Sequence, residues 1–389
     1  MESFYADENS LLHEWLWELN PTMWTREEEG EDANDRPKGR YRDCFDCVFP
    51  CALSRLDFGA SLGEDEKREE PLLGKVLAAL SRLCPRLETL DLSRSGLTKV
   101  PQEIGLLANL QWLRLAHNRL DRLPSEIGEL SALVTLDLEG NKLSVLPEEI
   151  SGLTSLVSAF LLGNRLETLP ASIGKLKKVR YMNLSHNRLR ELPAEIGELT
   201  KLDRLYLDDN CLEELPQEIG KLTELRTLHL QKNRLRLLPE SIGLLTKLKC
   251  LDLCYNQLEA LPAGIGNLPL EWVLNLGNNK LGALPTEIGR LTGLKQLFVG
   301  RNQLKEVPSE IGLLQTLEVL SLGENLLREL PTEMGGLLGL KTLYLSENRL
   351  AALPSEMAQL RALKELYWRE NLLQELPEEI RSLPLLKQQ

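Results

Sequence analysis

Aromatic residues and histidine are scarce in this chain, and long apolar runs are missing. Phe, Trp and Tyr together make up only 5% of the 389 residues, and there are four His. No stretch of about 18 consecutive apolar residues occurs, which excludes a transmembrane helix. The first ten residues, MESFYADENS, lack the basic start and apolar core of a secretory signal. The few aromatic residues are therefore informative wherever they collect.

Basic residues are outnumbered, with 46 Lys and Arg against 58 Asp and Glu and a net charge of −12. This balance argues against nucleic-acid binding, which needs clustered positive charge. The seven Cys are an odd number. Cys250 and Cys254 lie on one predicted strand about 13 Å apart, too far to form a disulfide. We therefore expect reduced thiols, a cytoplasmic location and no membrane span.

Enzyme chemistry finds little support in the sequence. There is no G-x-x-x-x-G-K-[ST] loop for phosphate. The recurring Glu of P-x-E-I-G belongs to helix starts, where an acidic residue suits the helix dipole. We expect a protein that is not an enzyme and holds neither a cofactor nor a metal.

One repeated pattern dominates the chain. Pro stands at 101, 124, 147 and so on to 377, and Asn at 118, 141, 164 and so on to 371, so both recur with a constant period of 23. The unit is L-x-x-L-x-L-x-x-N-x-L-x-x-L-P-x-E-I-G-x-L-x-x, and thirteen copies run over residues 87–385 without insertion or deletion. One copy cannot bury its own leucines, whereas a stack of copies encloses a continuous core.

The residue types predict the shape of each copy. The L-x-L alternation predicts a short strand, and Asn ends it by pairing with backbone groups of the turn. Pro cannot continue a sheet but suits the start of a helical turn, and Gly allows close packing. We predict an α/β solenoid, a horseshoe with parallel strands on the concave face and short helical turns on the convex face.

The unit resembles the leucine-rich repeat, and its L-P-x-E-I-G form with a period of 23 resembles the Ras-group intracellular subfamily. The resemblance covers residues 87–389. It implies a protein-interaction scaffold in Ras-type signalling, whose partner is a small GTPase or a phosphatase complex. We expect the chain itself to be a monomer.

Residues 1–86 lie before the repeats and divide into two predicted regions. Residues 1–70 hold an amphipathic helix with Trp15 and Trp17, followed by flexible acidic loops at 26–40 and 63–70. That helix either caps the solenoid or recruits a second protein, as in a sensor or immune-type recognition protein. Residues 71–86 are predicted as the cap helix, and residues 386–389 as a tail.

Three Cys in the N-terminal region have the spacing C-x-x-C-x-x-x-C: Cys44, Cys47 and Cys51. A zinc site would need a fourth ligand, for which His13 and Cys84 are the candidates. The surrounding sequence FDCVFPCALSRL is apolar, so buried structural thiols explain the cluster equally well. A zinc-dependent module remains the alternative hypothesis.

The single register of the repeat predicts which side chains face outward from the strands. Eight of the aromatic residues fall on outward positions, where the core does not need them. Aromatic residues with Arg beside them have the composition of protein-binding hot spots. The alternative is that they pack along the sheet as cross-strand neighbours. The predicted partner-binding residues are Tyr206, Phe298, Tyr344, Tyr367, Phe160, Trp112, Tyr181, Arg204, Asp208, His229, Lys232 and Tyr255.

One copy departs from the pattern. Glu271 stands where the first leucine is expected, Leu270 comes one residue early, and Trp272 follows. We expect the strand to slip or bulge at this point.

Overall fold

The computed structural model describes residues 55–57 and 66–387. The chain divides into two compact units, residues 1–165 and 166–389. The predicted N-terminal helix, the loop at 26–40 and the cluster of Cys44, Cys47 and Cys51 lie outside the described residues. The two units are built from the same repeat.

In its described residues, 55–57 and 66–165, the first unit contains five parallel strands and one long helix. The strands follow one another in chain order, and each pairs with the next. They are β1 (Arg55–Asp57), β2 (Thr89–Asp91), β3 (Trp112–Arg114), β4 (Thr135–Asp137) and β5 (Ser158–Phe160). Helix α1 spans Glu66–Leu83, and 3-10 helices span Gln102–Leu106, Ser125–Glu129 and Glu148–Gly152.

The second unit continues the pattern with nine parallel strands, again in chain order. They are β6 (Tyr181–Asn183), β7 (Arg204–Tyr206), β8 (Thr227–His229), β9 (Cys250–Asp252), β10 (Val273–Asn275), β11 (Gln296–Phe298), β12 (Val319–Ser321), β13 (Thr342–Tyr344) and β14 (Glu365–Tyr367). The 3-10 helices are Ala171–Lys175, Ala194–Glu198, Gln217–Lys221, Glu240–Leu244, Ala263–Asn267, Thr286–Arg290, Ser309–Leu313, Thr332–Gly336 and Ser355–Gln359, and α2 is Glu378–Arg381.

The alternating leucines produce the core. In the copy that contains β7, Leu202, Leu205 and Leu207 are fully buried, while Tyr206 between them is only half-buried. Successive strands pair residue for residue between equivalent positions of the repeat, as Leu205 does with Leu228. The predicted solenoid of parallel strands and short helical turns is confirmed within each unit.

Proline sets the start of each helical turn. Pro216 has φ −67° and ψ 150°, so it is extended, and its carbonyl accepts the N–H of Ile219 at 3.0 Å. A bond over three residues closes a 3-10 turn, and the fixed φ of Pro favours this geometry. Ile219 is fully buried and attaches the turn to the leucine core.

Glycine in the E-I-G motif is required by close packing between copies. A Cβ added to Gly289 would lie 2.5 Å from the carbonyl oxygen of Glu310, which belongs to the next copy. The same clash recurs at Gly128, where the oxygen of Glu149 would be 2.3 Å away. The tight packing that the sequence predicted for this Gly is therefore confirmed.

Two features near the N-terminus differ from the prediction. Helix α1 begins at Glu66, ahead of the expected start at 71, so part of the predicted loop at 63–70 is helical. Strand β1 was not predicted, yet it pairs in parallel with β2 through Leu56 and Leu90. The letters LSRLDF at 53–58 have the L-x-x-L-x-F spacing of a degenerate copy, which is the signal that could have identified it.

The expected slip at Glu271 does not occur within the strand. Val273 of β10 pairs with Cys250 and Gln296, in the same register as the neighbouring strands. The adjustment lies earlier, where Pro269 follows the 3-10 helix. A residue before Pro is driven to extended geometry, and Leu268 has ψ 134° where the residues after the other 3-10 helices have values between 49° and 71°.

Because Leu268 is extended, the chain reaches the core one residue earlier than in the other copies. The first core position of this copy is therefore filled by Leu270 and not by residue 271. Leu270 is buried with 1% of its surface exposed, whereas Trp272 is 64% exposed. Trp272 lies on the surface immediately before β10, at the same position of the repeat as Lys249 and Lys295.

Candidate functional site

The outward side chains of β6–β14 form a surface that we call the strand face. Its middle column is the last residue of each strand, aligned by the parallel register. The column consists of Asn183, Tyr206, His229, Asp252, Asn275, Phe298, Ser321, Tyr344 and Tyr367.

The twelve predicted binding residues are distributed over three parts of the structure. Five lie in the middle column of the strand face: Tyr206, His229, Phe298, Tyr344 and Tyr367. Five more lie beside that column in the second unit: Tyr181, Arg204, Asp208, Lys232 and Tyr255. Trp112 and Phe160 lie in the first unit.

Three aromatic rings form a continuous cluster at the start of the strand face. The ring centroids of Tyr181 and Tyr206 are 5.5 Å apart at an interplanar angle of 46°. Tyr206 and His229 are 5.0 Å apart in an edge-to-face arrangement. All three side chains are half-buried, so the cluster presents ring surface to solvent while its members support one another.

Charged side chains surround this cluster. Arg204 is exposed and lies 3.7 Å from Asp203. Asp208 accepts a hydrogen bond from the hydroxyl of Ser185, which fixes the orientation of its carboxylate. Lys232 is exposed and has a left-handed backbone with φ 56°. Arg204 precedes Tyr206 by two residues and Asp208 follows it by two, so both charges lie close to this ring along the chain.

A second aromatic pair lies near the far end of the strand face. Tyr344 and Tyr367 stack with centroids 4.7 Å apart and planes only 5° from parallel. Burial, together with the nearby Tyr367 and Glu365, raises the pKa of the Tyr344 hydroxyl. This hydroxyl remains protonated at neutral pH and is available as a hydrogen-bond donor.

Four further predicted residues lie outside both clusters. Phe298 is half-buried at the end of β11, between the two aromatic groups. Tyr255 is 50% exposed and follows β9 in a left-handed conformation with φ 54°. In the first unit, Trp112 of β3 is 36% exposed and Phe160 of β5 is half-buried. The structure thus brings only some of the predicted residues together.

Three glycines of the strand face were not singled out from the sequence. Gly277, Gly300 and Gly323 occupy equivalent positions in consecutive copies, two residues after the strand ends. They leave the backbone beside Phe298 without covering side chains. The signal was present in the repeated L-G and V-G pairs, since other copies carry a larger residue there.

The cysteines of the strand face are not suited to catalysis. Cys254 lies two residues beyond β9, so the prediction that it shares a strand with Cys250 is wrong. Burial, a hydrogen bond with Asp252 and the charge of Asp252 raise the pKa of the Cys254 thiol to about 12. Burial and Asp252 also raise the pKa of Cys250, whose sulfur is 3.9 Å from Nε2 of His229. Both groups are thiols, not thiolates, at neutral pH.

Comparison with known sequences and structures identifies the repeat. The family description "Leucine-rich repeat region" matches residues 84–178 and 204–271, and "Leucine rich repeat" matches residues 154–212 and 292–350. A leucine-rich repeat protein of Leptospira interrogans is 32% identical with a TM-score of 0.65, and the match covers 91% of this chain and 99% of that one. The chain belongs to the leucine-rich repeat family. No curated protein matches it.

Two plant structures are also similar to this leucine-rich repeat chain. The ectodomain of the Arabidopsis thaliana membrane receptor kinase GASSHO1/SCHENGEN3, in complex with CASPARIAN STRIP INTEGRITY FACTOR 2, is 33% identical with a TM-score of 0.66. That match covers 81% of this chain and 42% of the receptor. The Arabidopsis receptor kinase HAESA, in complex with the peptide hormone IDA and the co-receptor SERK1, is 29% identical with a TM-score of 0.64 over 81% of this chain and 54% of that one.

Two other kinds of site are absent from the described residues. Over 55–57 and 66–387, no group of three or more His, Cys, Asp or Glu side chains is placed to hold a metal ion. In the same part of the chain, no helix combines the length and the apolar character needed to cross a bilayer.

Proposed function

We propose that this leucine-rich repeat protein is a non-enzymatic scaffold whose strand face in the second unit binds a folded protein partner. The observation that supports it is the pair of aromatic clusters, Tyr181–Tyr206–His229 and Tyr344–Tyr367, on the outward side of the sheet. The leucine core is complete without these rings. The rings instead add apolar area to the surface that a partner would contact.

The chemistry of the two clusters suits protein recognition. Tyr combines a large apolar ring with a hydroxyl, and it loses little conformational entropy on binding. The rings already support one another, so less freedom is lost when a partner packs on them. Arg204, Asp208 and Lys232 would set the orientation of the partner through charge.

The similar structures support a macromolecular partner. One plant receptor kinase was solved with CASPARIAN STRIP INTEGRITY FACTOR 2 and the other with the peptide hormone IDA. The Ras-group form of the repeat makes a small GTPase or a phosphatase complex the first partner class to test. We also propose a cytoplasmic location and a monomeric chain; the free thiols of Cys84, Cys211, Cys250 and Cys254 support a reducing compartment.

A paired-variant affinity purification tests the proposal. Full-length wild type is compared with the double variant Tyr206→Ala/Phe298→Ala, and bound proteins are quantified by mass spectrometry. The control is Leu244→Ala/Leu313→Ala, which removes side chains that are 58% and 56% exposed on 3-10 helices, away from the strands. Candidate GTPases are then assayed as purified proteins in both nucleotide states.

We expect the strand-face variant to lose partners that the wild type and the control retain, with an unchanged melting temperature. A partner set that is the same for all three proteins would show that the strand face is not the binding surface. Equal losses from both variants would contradict the proposal as well.

A further inference from the structure

The residues that immediately precede β6–β14 form a second ordered surface, which we call the pre-strand row. Its members are Arg180, Asp203, Arg226, Lys249, Trp272, Lys295, Glu318, Lys341 and Lys364. Backbone hydrogen bonds join consecutive members: the N–H groups of Asp203, Arg226 and Lys249 donate to the carbonyls of the preceding members at 2.8, 2.8 and 2.9 Å. The row is therefore held at strand spacing, and its nine members extend over about 38 Å.

The charge of the pre-strand row is opposite to that of the protein. Six of its nine members are basic and two are acidic, although the whole chain has a net charge of −12. The equivalent positions before β2–β5 of the first unit are Glu88, Gln111, Val134 and Val157, which include no basic residue. The positive charge is thus specific to the second unit and is not a property of the repeat.

The existing ion pairs of the row can be exchanged for contacts with a partner. Arg226 lies 3.3 Å from Asp203, and Lys341 lies 2.6 Å from Glu318. In each of these pairs the basic side chain is at least 46% exposed. Exposed pairs of this kind contribute little to stability, so carboxylates of a partner can compete for the basic groups.

The two lysines on either side of the row's centre, Lys249 and Lys295, also form only solvent-exposed ion pairs. Lys249 pairs with Glu271, and Lys295 lies 3.7 Å from Glu318, which it shares with Lys341. Each of these lysines remains more than a third exposed. They can therefore turn toward a carboxylate of a bound segment without leaving a buried charge unpaired.

An exposed tryptophan occupies the centre of the row. Trp272 is 64% exposed, with Lys249 before it in the row and Lys295 after it. Its exposure follows from its position in the repeat, because the residue before each strand of the second unit is exposed or half-buried. A large exposed ring flanked by positive charge offers an apolar anchor within an electrostatic docking site.

We propose that the pre-strand row binds an acidic segment of a partner protein, with an apolar side chain of that segment packed on Trp272. About 12 residues of extended chain would cover the row. The row adjoins the strand face, since Asp203 lies 3.7 Å from Arg204, but its assignment rests on different residues and does not depend on the strand-face proposal.

The row fits an acidic protein segment better than a nucleic acid or an anionic membrane. Asp203 and Glu318 interrupt the basic residues and would repel an unbroken line of phosphates, whereas a protein segment can place a neutral or basic residue opposite each of them. The net charge of −12 also opposes the approach of a dense polyanion.

A synthetic peptide tests this inference directly. The probe is a fluorescein-labelled 13-residue peptide with six Glu, a central Leu and Ser elsewhere, and its binding to the full chain is followed by fluorescence anisotropy. The variants are Lys249→Glu/Lys295→Glu and Trp272→Ala. The control is Arg188→Glu/Arg234→Glu, which reverses two exposed charges that follow the recurring Asn, beyond the opposite end of the strands. Melting temperatures confirm that each variant is folded.

We expect the charge-reversal variant to weaken peptide binding by at least tenfold and Trp272→Ala to weaken it about fivefold, with the control within twofold of wild type. Replacing the central Leu of the peptide by Ser should remove the effect of Trp272→Ala. Undetectable peptide binding, or an equal loss in the control, would overturn the inference. So would tighter binding of a 12-nucleotide oligouridylate or of phosphatidylserine vesicles through the same residues.

Discussion

The side-chain nitrogen Nδ2 of Asn233 lies 2.9 Å from the carbonyl oxygen of Leu207, in the preceding copy of the repeat. The same nitrogen donates to the carbonyl of Leu230 at 3.0 Å, and Oδ1 accepts the N–H of Leu212 at 2.9 Å. One buried amide therefore joins two consecutive copies and satisfies three backbone groups. The recurring Asn is the polar counterpart of the leucine core.

Asn233→Ala should lower the free energy of unfolding by about 2 kcal/mol, because it leaves the buried N–H of Leu212 without a partner. The carbonyls of Leu207 and Leu230 each lose one of two bonds and keep those from Asn210 and Asn256. Urea unfolding followed by circular dichroism measures the change. Asn371→Ala is the matched control: Asn371 makes the same three kinds of bond but is half-buried, so water can replace part of them. Equal losses from the two variants would contradict this account.

Glu347→Gly should raise the free energy of unfolding by about 1 kcal/mol, because a left-handed conformation is costly for residues with a Cβ. Glu347 precedes the recurring Asn of its copy and has φ 57°. Gly140 already fills the equivalent position, with φ 67°. Gly140→Ala is the opposite test, and we expect it to destabilise the protein, because the new Cβ would lie 2.5 Å from Nδ1 of His117. Urea unfolding of both variants measures the two changes, and a loss of stability in Glu347→Gly would contradict the prediction.

Gly289→Ala should destabilise the protein by about 2 kcal/mol, since the added methyl would overlap the carbonyl of Glu310. Gly282→Ala is the control, because a Cβ there would meet nothing within 4 Å. Thermal unfolding of the two variants should separate them clearly. A similar melting temperature for both would show that the copies can move apart at no cost.

Cys254 should resist alkylation by iodoacetamide at pH 8 in the native protein and react readily in urea. With a pKa of about 12, only about one molecule in ten thousand carries the thiolate. Peptide mass spectrometry reports the modified fraction, and rapid native labelling would contradict the prediction. The pKa of Cys254 is raised in the folded state above the ordinary 9.0, so the unfolded chain loses this proton first as the pH rises. The free energy of unfolding should therefore fall between pH 9 and pH 12.

The strands, the 3-10 turns and the outward column could be predicted because each depends on a residue type at a fixed position. Leu205 and Leu207 must be buried, which places Tyr206 outward whatever the neighbouring copies contain. The burial of Leu270 could not be obtained in this way. It depends on Pro269 changing the backbone of Leu268, an effect of one substitution on a neighbour that the averaged pattern conceals.

The clustering of the candidate site was also only partly predictable. The register places Tyr344 and Tyr367 on adjacent strands, but their parallel stacking depends on side-chain rotation. Strand β1 was missed because its copy lacks the Pro and Asn that mark the others. Sequence periodicity thus predicts which residues occupy equivalent positions on neighbouring strands. Local packing determines which of their side chains are in contact.

The recurring Asn amides have a consequence for how the number of copies in such a protein can change during evolution. Each kind of amide bond connects positions at a constant separation along the chain. The contact between one copy and the next is therefore the same at every junction. Removing or duplicating one whole copy in frame recreates the same junction. Genetic recombination can therefore lengthen or shorten such a molecule without new packing having to evolve, except around the copy altered by Pro269.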